Sequence, residues 1–179
     1  HAYLDAIDEA KHEILIANAY FLPGIRFGRA LYAAARRGVK ITVLLQGKSD
    51  HPLLRYATQT LYATTLAAGI RIFEYEKSFM HAKVAVIDGQ WATVGSSNID
   101  PFSLLMAKEA NIVVRDPVFA DQLEFSLRSV MATGARELLA DELSRLPMHS
   151  RILRWLAYAA VRAMVGIAGY SQRHWNAAE

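Results

Sequence analysis

ILIANAYFLPGIRFGRALYAAARRGVKITVLL, residues 14–45, is the stretch on which the fold turns. Ile14 to Phe21 is an apolar run closed by Pro23-Gly24, the composition of a buried strand that ends in a turn. Ile25 to Arg37 is Ala-rich, with positions 27, 31, 34 and 35 apolar on one side of a helical period, and Gly38 supplies its stop. Val39 to Leu45 is again apolar and β-branched. Strand, helix and strand joined this closely form a βαβ unit: two parallel strands with a helix over one face.

The same alternation continues outward. Leu4, Ile7, Ala10 and Lys11 follow a helical period ahead of the first strand. Asp50-His51-Pro52 offers a cap and an early proline for a helix to about Ala68, stopped by Gly69, and Ile70 to Tyr75 reads as a third strand. His81 to Asp88 and Trp91 to Val94, separated by Gly89-Gln90, read as a hairpin, and Ala110 to Val114 as another strand. Helices are expected over Pro117 to Met131 and Ala135 to Arg145, and Pro147 precedes a terminal helix. The expectation is an α/β domain over residues 1–146, its sheet mixed and mostly parallel and flanked by helices, followed by a helix and tail over 147–179.

Composition narrows the function classes. With 53% hydrophobic and 21% charged residues, the 179-residue chain has enough apolar material for one core, which excludes disorder and low-complexity sequence. Cys is absent, so disulfide scaffolds, thiolate metal sites and thiol catalysis are excluded. The net charge of +3 is too small to mark the whole chain as a polyanion binder. Its distribution says more: Arg145, Arg151, Arg154, Arg162 and Arg173 lie in a stretch free of acids, which leaves 15 basic against 17 acidic groups elsewhere. The first residue is His and no signal-peptide pattern is visible, so a longer parent chain is expected.

Chemistry concentrates in HAKVAVID, residues 81–88, and GSSN, residues 95–98. A period of two sets His81 and Lys83 on one face of a strand. Ser96 and Asn98 share a side if the backbone is extended, and Gly95 permits close approach of a ligand. A nucleophile, a fixed cation and two hydrogen-bonding side chains would then converge on one anion. Asp88 closes the strand at Asp-Gly, where a turn residue bonded to backbone is as good a reading as a catalytic carboxylate. The remaining histidines (1, 12, 51, 149 and 174) lack metal-ligand spacing and the carboxylates do not cluster, so no metal is expected.

The HxKxxxxD pattern followed by GSxN resembles the phospholipase D superfamily. Six fixed residue types in register arise by chance on the order of 10^-6 times in a chain of this length. The resemblance implies a phospholipase D-like α/β/α sandwich and phosphodiester chemistry through a phosphohistidine, with no cofactor. His81 would attack phosphorus, Lys83, Ser96 and Asn98 would bind the phosphate oxygens, and Glu109, just ahead of the last strand, would orient the histidine. Members of this superfamily pair two such motifs, one histidine attacking while the other protonates the leaving oxygen. This chain has one, so a second half-site is expected from another part of a longer chain or from a second copy.

NAYFLPG (18–24), DHP (50–52) and HAKVAVIDGQWATVGSSNIDPFSLL (81–105) most resemble bacterial cardiolipin synthases. That resemblance implies a phospholipid substrate, phosphatidylglycerol, with glycerol released and a lipid alcohol as acceptor. Tyr20, Phe21 and Pro23 would form either an apolar entrance or the end of a core strand, and His51 is a secondary site candidate beside its capping reading. On a helical wheel Arg151, Arg154, Tyr158 and Arg162 fall within about 80°. A basic amphipathic helix is the reading, its apolar runs too short for the roughly 20 residues of a span. It would lie at a membrane surface, on the cytoplasmic face of a bacterial cell membrane, or pack on the missing half; three arginines near anionic headgroups would contribute about 1 kcal/mol each. A homodimeric nuclease or other phospholipase D-type phosphodiesterase is the competing reading, opposed by the near-neutral body; no nucleic-acid partner is expected. A noncatalytic membrane-binding half-domain is the third.

Overall fold

The structure is a computed structural model that describes residues 2–48, 51–100 and 108–175, with side chains described as far as Gly166. Chain order is α1 (Ala2–Glu9), β1 (Glu13–Asn18), α2 (Ile25–Arg36), β2 (Lys40–Gln46), α3 (Pro52–Thr60), α4 (Tyr62–Ala67) and β3 (Arg71–Tyr75). Then come β4 (Lys83–Ile87), β5 (Trp91–Gly95), β6 (Asn111–Val114), α5 (Pro117–Gly134), β7 (Ala135–Glu137), α6 (Ala140–Ser144) and α7 (Met148–Trp175). The seven strands form one mixed sheet in the order β6-β5-β4-β1-β2-β3-β7. Among the paired strands only β1-β2 and β2-β3 are parallel, while β4, β5, β6 and β7 join antiparallel to their neighbours, so the sheet is mixed as expected but mostly antiparallel, not mostly parallel.

The central strand β1 is buried on both faces, and its alternation separates two cores. Ile14 and Ile16 join Ile41, Val43, Leu31 and Ile7 beneath α1 and α2. Leu15 and Ala17 face the other way, against Leu44 and Leu127 of α5. Asp116 caps α5 by accepting from the Phe119 amide at 2.8 Å, with Pro117 at the first turn.

Three elements differ from the sequence reading. The helix expected to run to Ala68 breaks at Leu61: the Thr60 hydroxyl donates back to the Tyr56 carbonyl and across to that of Arg154, which bends the last turn of α3. The helix expected from Ala135 begins instead as the edge strand β7. Gly134 lies so close to the Tyr75 ring that a side chain there would collide with it, and the chain leaves along β3, pairing Tyr75 with Ala135 and Phe73 with Glu137. The Arg71–Glu137 pair, 2.7 Å, closes that edge. The hairpin turn is centred on Asp88 and Gly89, both at positive φ, one residue earlier than expected.

Helix α7 packs on α3. Ala157 and Val161 are buried with Leu22 and Ala57, flanked by Tyr158 and Val165. Arg154 is half-buried on this side, near Tyr62 and Glu74, and burial lowers its affinity for a proton while those two groups oppose the change. Of the arginines expected to meet headgroups, Arg154 is half-buried against the domain, whereas Arg151 and Arg162 are exposed and Arg162 also lines the same cleft as Lys83. Met148, Ile152, Leu153, Trp155 and Leu156 face outward, with Trp155 61% exposed. Among the described residues no helix is long and apolar enough to cross a membrane.

Candidate functional site

The end of β1 draws the two motif segments together. Asn18 pairs in register with Lys83, and the Ala19 amide donates to the Ala82 carbonyl at 2.9 Å. Three residues on, the Leu22 amide donates to the Ile99 carbonyl at 2.7 Å, and the Asn18 side-chain oxygen accepts from the Ile99 amide at 3.2 Å. One apolar strand and its extension thus hold the backbone beside His81 and the backbone beside Asn98, segments separated by the whole β4–β5 hairpin.

Strand β4 begins at Lys83, so His81 stands just before the strand and is exposed, whereas Lys83 is 9% exposed. Their side chains nevertheless meet: Lys83 Nζ lies 3.0 Å from His81 Nε2 and 3.4 Å from the His81 carbonyl oxygen. Burial of the lysine pulls its pKa below the ordinary value, and the charges of Glu109 and Asp100 partly restore it. Lys83 and Asn98 line one cleft of about 660 Å³, with Asn18, Thr93 and Asn111 among its polar walls.

Ser96, Glu109 and Asp88 take other places. Ser96 is exposed, and its hydroxyl accepts from the Ala110 amide at 3.1 Å while its own amide donates to the Ala110 carbonyl at 3.0 Å. It fastens the start of β6 to the GSSN segment, and Ser97, not Ser96, lines the cleft. Glu109 is held beside this clasp, exposed, and its charge reaches Lys83; among the described residues it makes no hydrogen bond to His81. Gly95 is needed for the close passage of Ala110 and Asn111, whose atoms occupy the space of a side chain.

Asp88 sits at the opposite end of β4 from Lys83, roughly 17 Å away at the ordinary strand rise. Its carboxylate accepts three backbone amides, those of Lys11, His12 and Glu13, at 2.8, 2.9 and 2.8 Å. Burial alone would raise its pKa, but these bonds and the nearby His12 bring it below the usual carboxylate range. The bonds tie the α1–β1 connection to the hairpin, a long-range version of the backbone role read from Asp-Gly.

His51 occupies the first position before α3, its ring centroid 5.6 Å from that of Tyr20, and neither lines the cleft. Phe21 is a core residue, 4% exposed. Asp50 and positions 101–105 of the quoted motif string lie outside the described residues. Sequence reasoning missed Asn18 and Asp100, both 2% exposed. A lone amide in the apolar run ILIAN, and an acid two positions beyond Asn98, were the available signals.

A family model described as "Cardiolipin synthase, PLD-like domain" matches residues 3–131. The chain is 38% identical over 172 residues to cardiolipin synthase B of Escherichia coli (strain K12), a match that takes in 96% of this chain and 42% of that protein. It thus spans about two fifths of the length of such curated relatives. The fold is similar to that of a phospholipase D family member, Nuc from Salmonella typhimurium, with TM-score 0.66 and 22% identity over 76% of this chain and 88% of that one. It is also similar to phosphatidylserine synthase of Haemophilus influenzae Rd KW20, with TM-score 0.70 and 12% identity over 93% of this chain and 43% of that one.

Proposed function

Because this chain belongs to the phospholipase D-like family of cardiolipin synthases, we propose that it supplies one half-site of a phosphatidyltransferase, with His81 as the nucleophile. The observation that carries the reading is the 3.0 Å approach of Lys83 Nζ to His81 Nε2 beside the cleft. A protonated lysine can only donate, so Nε2 is the acceptor and the ring proton resides on Nδ1. The nitrogen with the free electron pair is therefore the one beside the phosphate-binding cation, in the state a nucleophile requires.

An arriving phosphodiester takes over the lysine's donors through its nonbridging oxygens and releases the Nε2 electron pair. Asn98 adds a hydrogen bond from the far wall. The Nε2–P bond forms, the P–O bond to glycerol breaks, and the leaving oxygen takes a proton from the histidine of the second half-site. In the second step a lipid hydroxyl attacks phosphorus, its proton passes to that same histidine, and the P–N bond breaks to regenerate His81. Glu109 and Asp100 act on the cation, keeping Lys83 charged despite its burial. The exposed apolar residues of α7, with Trp155 at their border with Arg151 and Arg162, rest on the membrane surface that holds the substrate.

The test is lipid mass spectrometry on phosphatidylglycerol vesicles incubated with the full natural chain. Cardiolipin with free glycerol is expected, lost in His81→Ala. Phosphatidic acid as the main product would make the protein a hydrolase, and no lipid product from a folded protein would overturn the reading.

A further inference from the structure

The cleft lined by Lys83 and Asn98 carries two more cations. Arg26, in the first turn of α2, and Arg162, on α7, line the same cleft as Lys83 and Asn98. Both guanidiniums are exposed, and among the described residues neither pairs with a carboxylate. The α7 backbone that carries Arg162 is fixed against α3: Val161 is 1% exposed, Tyr158 and Val165 pack beside it, and the Thr60 hydroxyl donates to the Arg154 carbonyl at 2.8 Å. Arg162 lies beyond residues 3–131, the span of the family model, but within the 172 residues matched to cardiolipin synthase B. Apolar side chains line much of the same cleft, among them Leu4, Ile25, Phe27, Val113 and Val165.

We propose that Arg26 and Arg162 form a second phosphate subsite, which binds the phosphodiester of the incoming acceptor and so directs the phosphohistidine to a phosphate-bearing alcohol instead of water. The inference rests on the transferase reading above. Hydrolysis needs one phosphate clamp and a water; it has no use for two further guanidiniums in the same cleft. A glycerol that carries its own phosphodiester needs both, one phosphate at His81 and Lys83 and the other on the guanidinium forks, which match phosphate oxygens two at a time. The reaction remains the second step above, attack of the acceptor hydroxyl on phosphorus with the P–N bond breaking and the proton passing to the second histidine. The arginines hold the acceptor and take no part in bond exchange.

The experiment offers the phosphatidyl-enzyme three alcohols in competition, using the full natural chain and phosphatidylglycerol as donor. These are phosphatidylglycerol itself, water-soluble glycerophosphoglycerol, and deuterated glycerol, which carries no phosphate. The readout is the product ratio by mass spectrometry. In Arg162→Gln, capture by both phosphate-bearing acceptors is expected to fall about tenfold relative to capture by glycerol. Arg162→Lys should recover part of the loss, and Arg26→Gln should act in the same direction. A fall for phosphatidylglycerol alone, with glycerophosphoglycerol unchanged, would overturn phosphate recognition and make Arg162 a membrane contact. Unchanged ratios, or equal loss of all three products, would overturn it as well. A wild-type protein that forms no transfer product at all would instead sink the transferase reading beneath it.

Discussion

At the residue scale the site is a balance between desolvation and charge around one ammonium group. Lys83 is buried enough for its pKa to fall, and Glu109 and Asp100 oppose the fall. Turnover should therefore be lost on the alkaline side as Lys83 gives up its proton, at a lower pH than for an ordinary lysine. Glu109→Gln removes one opposing charge, so the alkaline limb of kcat against pH should move further toward neutrality; were Glu109 instead the partner of His81, kcat would drop while that limb stayed in place. His81→Ala should lower turnover by about 10^4-fold or more, as removal of a nucleophile does. Because His81 is exposed, circular dichroism and the urea midpoint should match wild type. Asp88 belongs to a different ledger. Asp88→Asn loses charge-assisted bonds to three amides and should destabilise the fold by about 1–3 kcal/mol in urea melts near pH 7. The folded-state pKa is depressed, so the stabilisation is complete above the unfolded carboxylate's pKa and fades as pH falls through the folded value. The gap between wild type and variant should close in acid.

At the element scale the βαβ unit was legible because apolar runs and a helical period report the burial of whole faces. The triad of types His81, Lys83 and Asn98 was legible as a spaced motif. Other features depended on contacts far along the chain. Ala135 to Glu137 has helical composition but pairs with β3, since Gly134 must pass the Tyr75 ring and an open strand edge lies within reach. Ser96 was expected to point at phosphate, yet its hydroxyl meets the Ala110 backbone, a partner that only the closing of β6 on β5 brings near. The terminal helix shows the same limit. Its wheel revealed an arginine side and an apolar side, but the face the domain keeps, with Ala157 and Val161 buried and Arg154 half-buried, is neither of them. Val161, 1% exposed, makes the distinction testable: Val161→Ala should destabilise by about 2 kcal/mol, while Trp155→Ser should leave the urea midpoint nearly unchanged and weaken flotation with anionic phosphatidylglycerol vesicles. Vesicle binding unaffected by Trp155→Ser would remove the membrane role of that face.

At the scale of the whole molecule, a mixed sheet presents one motif beside a cleft lined by Lys83 and Asn98, by apolar side chains and by Arg26 and Arg162. On the proposed mechanism, the burial of Lys83, its approach to His81 Nε2 and the convergence of two motif segments on the end of β1 would all serve one intermediate, a phosphatidyl group on Nε2. The most direct test is to capture it. Full-length protein mixed with phosphatidylglycerol, quenched within one turnover in alkali, where a phosphoramidate survives, is digested and mapped by mass spectrometry. A phosphatidyl adduct on the peptide that contains His81, absent in His81→Asn, is the expected result; turnover by a wild-type enzyme that never carries the adduct there would contradict the account.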